Sequence, residues 1–153
     1  SIGKMCKVGG EISNSIFQGF SNKAHDGFIG HSFIGEWVNI GAGTNNSNLK
    51  NNYNNIRIDI GSDKIQTNLQ FLGVLIGDYS KLGISSIINT GTYIGMASNI
   101  LGGEIISKYI PSFYWDENTR VDLNKLFISI SKMKNRRNKD ITNNEKFFLE
   151  KKY

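Results

Sequence analysis

The sequence predicts an all-β fold: a single-stranded left-handed parallel β-helix of hexapeptide repeats, with a projecting β-hairpin and C-terminal helices. Three observations carry this expectation. Aliphatic residues recur at every sixth position through Ile76, Leu82, Ile88, Ile94, Ile100 and Ile106. Glycine follows the aliphatic residue at Gly77, Gly83 and Gly95. The composition suits tight turns, with 17 Gly, a single Pro and abundant Asn, because Gly and Asn tolerate positive φ best. A period of six fits neither an α-helix nor an alternating strand. It fits a triangular coil of three short strands, roughly 18 residues per turn, with the aliphatic side chains inside. Residues one turn apart then stack: Ile76 on Ile94, Leu82 on Ile100, Ile88 on Ile106.

The chain enters in phase, with Ile2-Gly3 and Val8-Gly9. No Met precedes them, so an upstream domain or coil is expected. A second run places Ile16, Phe28, Ile34 and Ile40 inside, with Asn22 as a polar interruption. The phase slips between Val8 and Ile16, and again across residues 42–75. Within that second gap, residues 44–75 read as an insertion. Ile56-Arg57-Ile58-Asp59-Ile60 alternates as a strand, Gly61-Ser62-Asp63 is a turn, and Ile65 to Phe71 is a second strand. Insertions in repeat folds cluster on the binding face.

The β-helix is expected to span residues 1–111, ending at Pro111. Residues 112–153 form an aromatic segment and a helical tail. Ser112-Phe113-Tyr114-Trp115 packs over the last coil. From Asp122 to about Asn138, the residues Leu123, Leu126, Phe127, Ile130 and Met133 have helical spacing. Thr142 and Glu145 have capping-box spacing before Phe147-Phe148-Leu149. These helices cap the coil or clasp a neighbouring subunit.

Composition bounds the function. With 153 residues, 39% hydrophobic and 20% charged, the chain suits one domain. It has neither a membrane-length apolar run nor a signal-peptide pattern. A single cysteine, Cys6, cannot pair internally, which favours a reducing, cytoplasmic setting and reads as a small buried residue. The net charge of +5 is concentrated late, at Lys132, Lys134, Arg136, Arg137, Lys139, Lys146, Lys151 and Lys152. That reads as a solvated basic tail, or as a rim attracting an anion such as coenzyme A or a sugar phosphate. The interleaved aromatics of a nucleic-acid binder are missing. The run Asn45, Asn46, Asn48, Asn51, Asn52 offers amides to a pantetheine or sugar hydroxyl, and is equally what an AT-rich genome encodes.

Two stretches carry a resemblance: Asn22-Lys23-Ala24-His25-Asp26-Gly27-Phe28-Ile29-Gly30, and Gly35-Glu36-Trp37-Val38-Asn39-Ile40-Gly41-Ala42-Gly43-Thr44-Asn45-Asn46-Ser47-Asn48. They resemble the C-terminal acetyltransferase domain of the bifunctional N-acetylglucosamine-1-phosphate uridylyltransferase/glucosamine-1-phosphate acetyltransferase, a hexapeptide-repeat acyltransferase. The likeness is closer still to a bacteroidete branch of fused sugar nucleotidylyltransferase–acetyltransferases, through Ser13-Asn14-Ser15, Lys23-Ala24-His25-Asp26-Gly27 and Ile110-Pro111-Ser112-Phe113. It covers roughly residues 3–137.

The resemblance implies a homotrimer with sites between subunits and acetyl-CoA as co-substrate along the coils. The reaction implied is acetylation of an amino sugar phosphate of the glucosamine 1-phosphate type, in nucleotide-sugar biosynthesis. It makes His25 the general base and gives Asn39 and Phe28 substrate positions, with Lys23 the best candidate for gripping the phosphate. Ala42, the Asn48-Leu49 pair, Ile84 and Gly102 fall on coenzyme positions. Mg2+ belongs only to the nucleotidylyltransferase domain that the resemblance places upstream. Phe28 departs from the better-known pattern, which has a substrate-contacting Tyr there, so one hydrogen bond is lost.

The reaction itself asks for few groups. Acetyl transfer from a thioester to an amine needs a base near neutral pH, which suits His, and donors for the tetrahedral oxyanion, which glycine-rich corners can supply. The chain has two His, His25 and His31, too few for a three-His zinc site within one chain. His25, before Asp26-Gly27, reads as a corner residue: a base, or a hydrogen-bonded surface imidazole. His31 reads as the latter. Glu36 and Asp26 are candidates to orient the imidazole. The alternative function is a non-catalytic trimerising or regulatory module of a sugar-phosphate nucleotidylyltransferase.

Overall fold

The computed structural model describes residues 1–116 and 119–153. As the period predicts, the chain winds into a three-sided parallel β-solenoid. The first face carries Lys7–Val8, Asn22–Lys23, Asn39–Ile40, Lys81–Leu82 and Asn99–Ile100 in one five-stranded sheet. The third face carries Ile16–Phe17, Phe33–Ile34, Val74–Ile76, Thr92–Ile94 and Tyr109–Ile110 in another, with Ile2 bridging to Phe17 at the near end. The second face, between them, holds two strand pairs: Glu11–Ser13 with Phe28–Gly30, and Asn45–Asn46 with Ile87–Ile88. Every pairing on these faces is parallel.

The two halves of the second face are joined by side chains. The Phe28 N–H donates to Asn45 Oδ1 and the Gly30 N–H to Asn46 Oδ1, both at 2.8 Å. Asn46 Nδ2 returns a bond to the Gly30 carbonyl at 3.0 Å. The asparagines thus take the place of a backbone ladder.

The upper coils follow the expected stacking. Ile76 lies in register with Ile94, Leu82 with Ile100, and Ile87 with Ile105. The lower coils do not. Phe17, Lys23, Ile29, Ile34 and Ile40 point inward and are buried, whereas Ile16 is exposed and Phe28 only half-buried. Counting back from Ile34 in sixes therefore lands one residue off. The step from Ile29 to Ile34 is five, because the edge at Gly30–Ser32 is one residue tighter. Asn22 is not the polar interruption; its neighbour Lys23 occupies the inward position.

The edge from the third face to the first builds a second core. Met5, Phe20, Trp37, Tyr79, Ala97 and Phe113 all have φ between 54° and 64° there, and all but the exposed Met5 are buried. A left-handed backbone costs an L-residue about 1–2 kcal/mol, and packing offsets it. Phe20 and Trp37 stack with centroids 4.2 Å apart and planes 2° from parallel. The two helices close over this column, burying Leu126, Ile130 and Leu149 with it.

The first helix, α1, spans Leu123–Asn135, with Asp122 accepting from the Lys125 N–H. The second, α2, spans Asn143–Lys152 behind the expected capping box of Thr142 and Glu145. Glu145 ties the helices to the coil: it pairs with Lys134 and accepts from the Tyr79 hydroxyl at 2.9 Å. Hence the late cations are not uniformly solvated, since Lys134 is buried and Arg137 half-buried.

The insertion leaves the solenoid after Asn46 and re-enters at Val74. Its hairpin pairs Arg57–Ile60 with Asp63–Gln66 across Gly61-Ser62. The second strand thus starts and ends earlier than Ile65 to Phe71. Leu49 bridges Phe71 at its neck. Gly73 allows the return, since a Cβ there would lie 2.0 Å from the Gly30 carbonyl oxygen.

Candidate active site

The edge joining the first face to the second collects four of the nine expected site residues. On successive rungs it carries Gly9–Gly10, Ala24–Gly27, Ala42–Gly43, Ile84–Ser85 and Gly102–Gly103. Hydrogen bonds link these rungs: the Gly43 N–H to the Asp26 carbonyl (3.2 Å), the Ser85 N–H to the Ala42 carbonyl (2.7 Å), and the Gly103 N–H to the Ile84 carbonyl (3.1 Å). His25, Ala42, Ile84 and Gly102, four expected site residues, therefore fall on one edge.

His25 is exposed there. Among the described residues, its ring makes no hydrogen bond. The backbone around it is fixed. Gly27 has φ +107°, and a Cβ there would lie 2.2 Å from the Thr44 carbonyl oxygen, so only glycine lets the loop sit so close to the next rung. Asp26 adjoins the imidazole in sequence, but its carbonyl is what it contributes, accepting from the Lys23 ammonium and the Gly43 N–H. Glu36 lies on the opposite edge, where its N–H donates to Asp78 Oδ1, so it does not orient His25.

Lys23 has a different place from the one the resemblance suggests. It is 1% exposed. Its ammonium donates to the carbonyls of Gly9 (3.0 Å), His25 (2.5 Å) and Asp26 (2.7 Å). An ammonium has three N–H groups, and all three are used within the chain. Burial lowers its pKa, partly opposed by Asp26. The residue knits the His25 loop to the rung below.

Ile84 is 70% exposed and Leu101 79%. With Ile87 and Ile105 on the adjoining face, also exposed, they make an apolar stripe beside the His25 edge. The backbone amides of Gly41, Gly43, Gly83, Ser85 and Gly103 are all engaged between rungs. An oxyanion donor would have to come from other groups.

Asn48 and Leu49 lie across the second face, on the edge toward the third. Asn48 Nδ2 sits 2.9 Å from His31 Nδ1, and Asn14 Nδ2 sits 3.3 Å from His31 Nε2. The His31 ring stacks on Phe71, 5.1 Å between centroids. A neutral imidazole accepts at one nitrogen only, so the His31 tautomer decides which amide donates. The signal for this cluster was present in the sequence: Asn14, His31 and Asn48 are 17 apart, one lower coil. Phe28, half-buried on the second face, lies between this cluster and the His25 edge. The expected coenzyme residues thus divide between two edges flanking one face.

Asn39 points outward on the first face, next to Asn22. It lines a cleft of about 460 Å³ between that face and α1, together with Lys81, Arg136 and Arg137.

No described group of three or more His, Cys, Asp or Glu could hold a metal ion, and no helix among the described residues is long and apolar enough to cross a membrane. Cys6 is half-buried, its thiol donating to the Gln18 carbonyl at 3.3 Å.

No family model matches the chain. A bifunctional sugar-1-phosphate nucleotidylyltransferase/acetyltransferase of Sulfurisphaera tokodaii is 30% identical over 98 residues, covering 64% of this chain and 24% of the relative. The bifunctional protein GlmU of Synechococcus elongatus is 32% identical over 113 residues, covering 72% and 21%. GlmU of Methanocaldococcus jannaschii is 31% identical over 102 residues, covering 67% and 25%. The matches thus span about a fifth to a quarter of the length of these relatives.

Proposed function

The chain is related to the bifunctional sugar-1-phosphate nucleotidylyltransferase/acetyltransferases and carries an acetyltransferase-like β-solenoid, and from that premise we propose that it moves acetyl from acetyl-CoA to the amine of an amino sugar phosphate. One observation carries the reading. His25 presents an imidazole that makes no hydrogen bond among the described residues, on the same solenoid edge as Ala42, Ile84 and Gly102. In this account His25 takes the proton from the attacking amine as the nitrogen bonds to the thioester carbon. The tetrahedral intermediate then expels coenzyme A as its thiolate, and an acetamide remains. Such a base is typically worth about 10²–10⁴ in rate. Acetyl-CoA runs along the edge, its pantetheine against the apolar stripe of Ile84 and Leu101. Phe28 and Asn39 flank the amino sugar.

The exposed stripe also supports a homotrimer in which a second copy walls the groove. Contiguous apolar surface of this kind marks interaction sites.

The test is release of free thiol when the protein is mixed with acetyl-CoA and glucosamine 1-phosphate. Turnover should appear, and His25→Ala should lower it by two orders of magnitude or more. Wild-type turnover unchanged in His25→Ala would remove the base assignment.

A second reading is a trimerising or regulatory module without catalysis. It is favoured by one observation: Lys23, the expected phosphate grip, spends its donors inside the chain. Under that reading coenzyme A titration gives no heat.

A further inference from the structure

The cleft between the first face and α1 concentrates positive charge without compensating acid. Lys7 and Lys81 come from the face; Lys132, Arg136 and Arg137 come from the end of α1 and the residues after it. None of its lining residues is acidic. The two ion pairs among the described residues, Arg57 with Asp59 and Lys134 with Glu145, lie elsewhere. Two of the five cations are held in place by neutral partners instead. Lys81 Nζ donates to Ser129 Oγ at 2.6 Å, and an Arg137 amino group donates to Asn22 Oδ1 at 3.1 Å. Burial lowers the Lys81 pKa, so its charge is kept at a cost. The amides of Asn22 and Asn39 line the same wall.

Five like charges around one concavity repel one another, and an anion relieves that repulsion. The charge suggests its size. A phosphate monoester carries about −1.5 to −2 at neutral pH, and a singly esterified diphosphate, with three ionisable oxygens, about −3. That matches the cluster better than a single phosphate does. Arginine forks bind phosphate oxygens bidentately, while lysines act as point charges. A cleft of about 460 Å³ has room for a diphosphate with a small substituent.

We propose that this cleft is a binding site for a diphosphate-bearing small molecule, held between Lys7 and Lys81 on one side and Lys132, Arg136 and Arg137 on the other. The site adjoins the proposed amino-sugar position through Asn39, which lines its wall, and its test does not depend on acetyl transfer. A singly esterified diphosphate on a small carrier fits this charge and volume; the doubly esterified diphosphate of coenzyme A is the competing source.

Isothermal titration with inorganic pyrophosphate tests the proposal. The wild type should bind, and the double variant Lys132→Gln/Arg136→Gln should bind at least tenfold more weakly. Both of those residues are exposed, so the variant should keep the wild-type melting temperature. Lys151→Gln/Lys152→Gln removes the same charge outside the cleft and should bind like the wild type. Absence of binding, or an equal loss in both double variants, would overturn the site. Coenzyme A then distinguishes the sources: displacement of pyrophosphate assigns the cleft to the coenzyme's diphosphate, and independent binding assigns it to a second ligand.

Discussion

Replacing Lys23 with Met separates a structural lysine from a ligand-binding one. The unbranched chain is kept and the ammonium is lost. In the wild type that group ties the Gly9, His25 and Asp26 carbonyls together at 2.5–3.0 Å. Hydrogen bonds to a charged group are worth about 1.5–3 kcal/mol each. The desolvation of a buried ion opposes them by several kcal/mol, in keeping with the lowered pKa. The net expectation for Lys23→Met is a loss of about 2–4 kcal/mol, or roughly 4–16 °C in Tm for a chain of this size. Thermal and urea unfolding read it. The sign with pH also follows. The unfolded lysine holds its proton more tightly than the folded one, so this site's contribution to stability rises toward the usual lysine pKa. Lys23→Met should flatten that alkaline rise. A variant that melts like the wild type yet no longer binds the amino sugar phosphate would refute the structural assignment and restore Lys23 as a phosphate grip.

Burial alone would raise the Glu145 carboxyl, but bonds from Lys134, the Thr142 amide and the Tyr79 hydroxyl hold it at about 2, against an ordinary 4.5. The stability it contributes is therefore present above pH 4.5 and lost as the pH falls toward 2, amounting to about 3 kcal/mol. Glu145→Gln should lower stability at pH 7 and flatten the acid limb of a pH–stability curve; an unaltered acid limb would argue against this pairing. Trp37 is buried against Phe20, and Trp37→Ala should cost about 3–5 kcal/mol and loosen α1 and α2. Urea unfolding followed by helical circular dichroism measures both, and a loss below about 1 kcal/mol would contradict the aromatic column.

What the sequence displayed followed how strictly each coil kept its length. The upper rungs repeat every 18 residues, so Ile76, Leu82, Ile94 and Ile100 were legible as core. The lower rungs shorten at one edge, which moved Phe17, Lys23 and Ile29 out of a six-step count and hid a lysine in an inward position. The helices were legible because capping and 3.6-residue spacing are local. The aromatic column was not, because Phe20, Trp37, Tyr79 and Phe113 are brought together by coil geometry at unequal spacings, in a backbone conformation that disfavours such residues. The His25 corner was legible from its glycine. The cleft beneath α1 was not, since its cations come from distant segments and read in sequence as a solvated tail.

The central claim is that the edge bearing His25, Ala42, Ile84 and Gly102 is where acetyl-CoA lies. A crystal structure of the protein soaked with acetyl-CoA tests it directly. The account predicts pantetheine density along that edge, with the thioester within reach of the His25 ring. Density confined to another part of the solenoid, or an empty edge at saturating coenzyme, would contradict it.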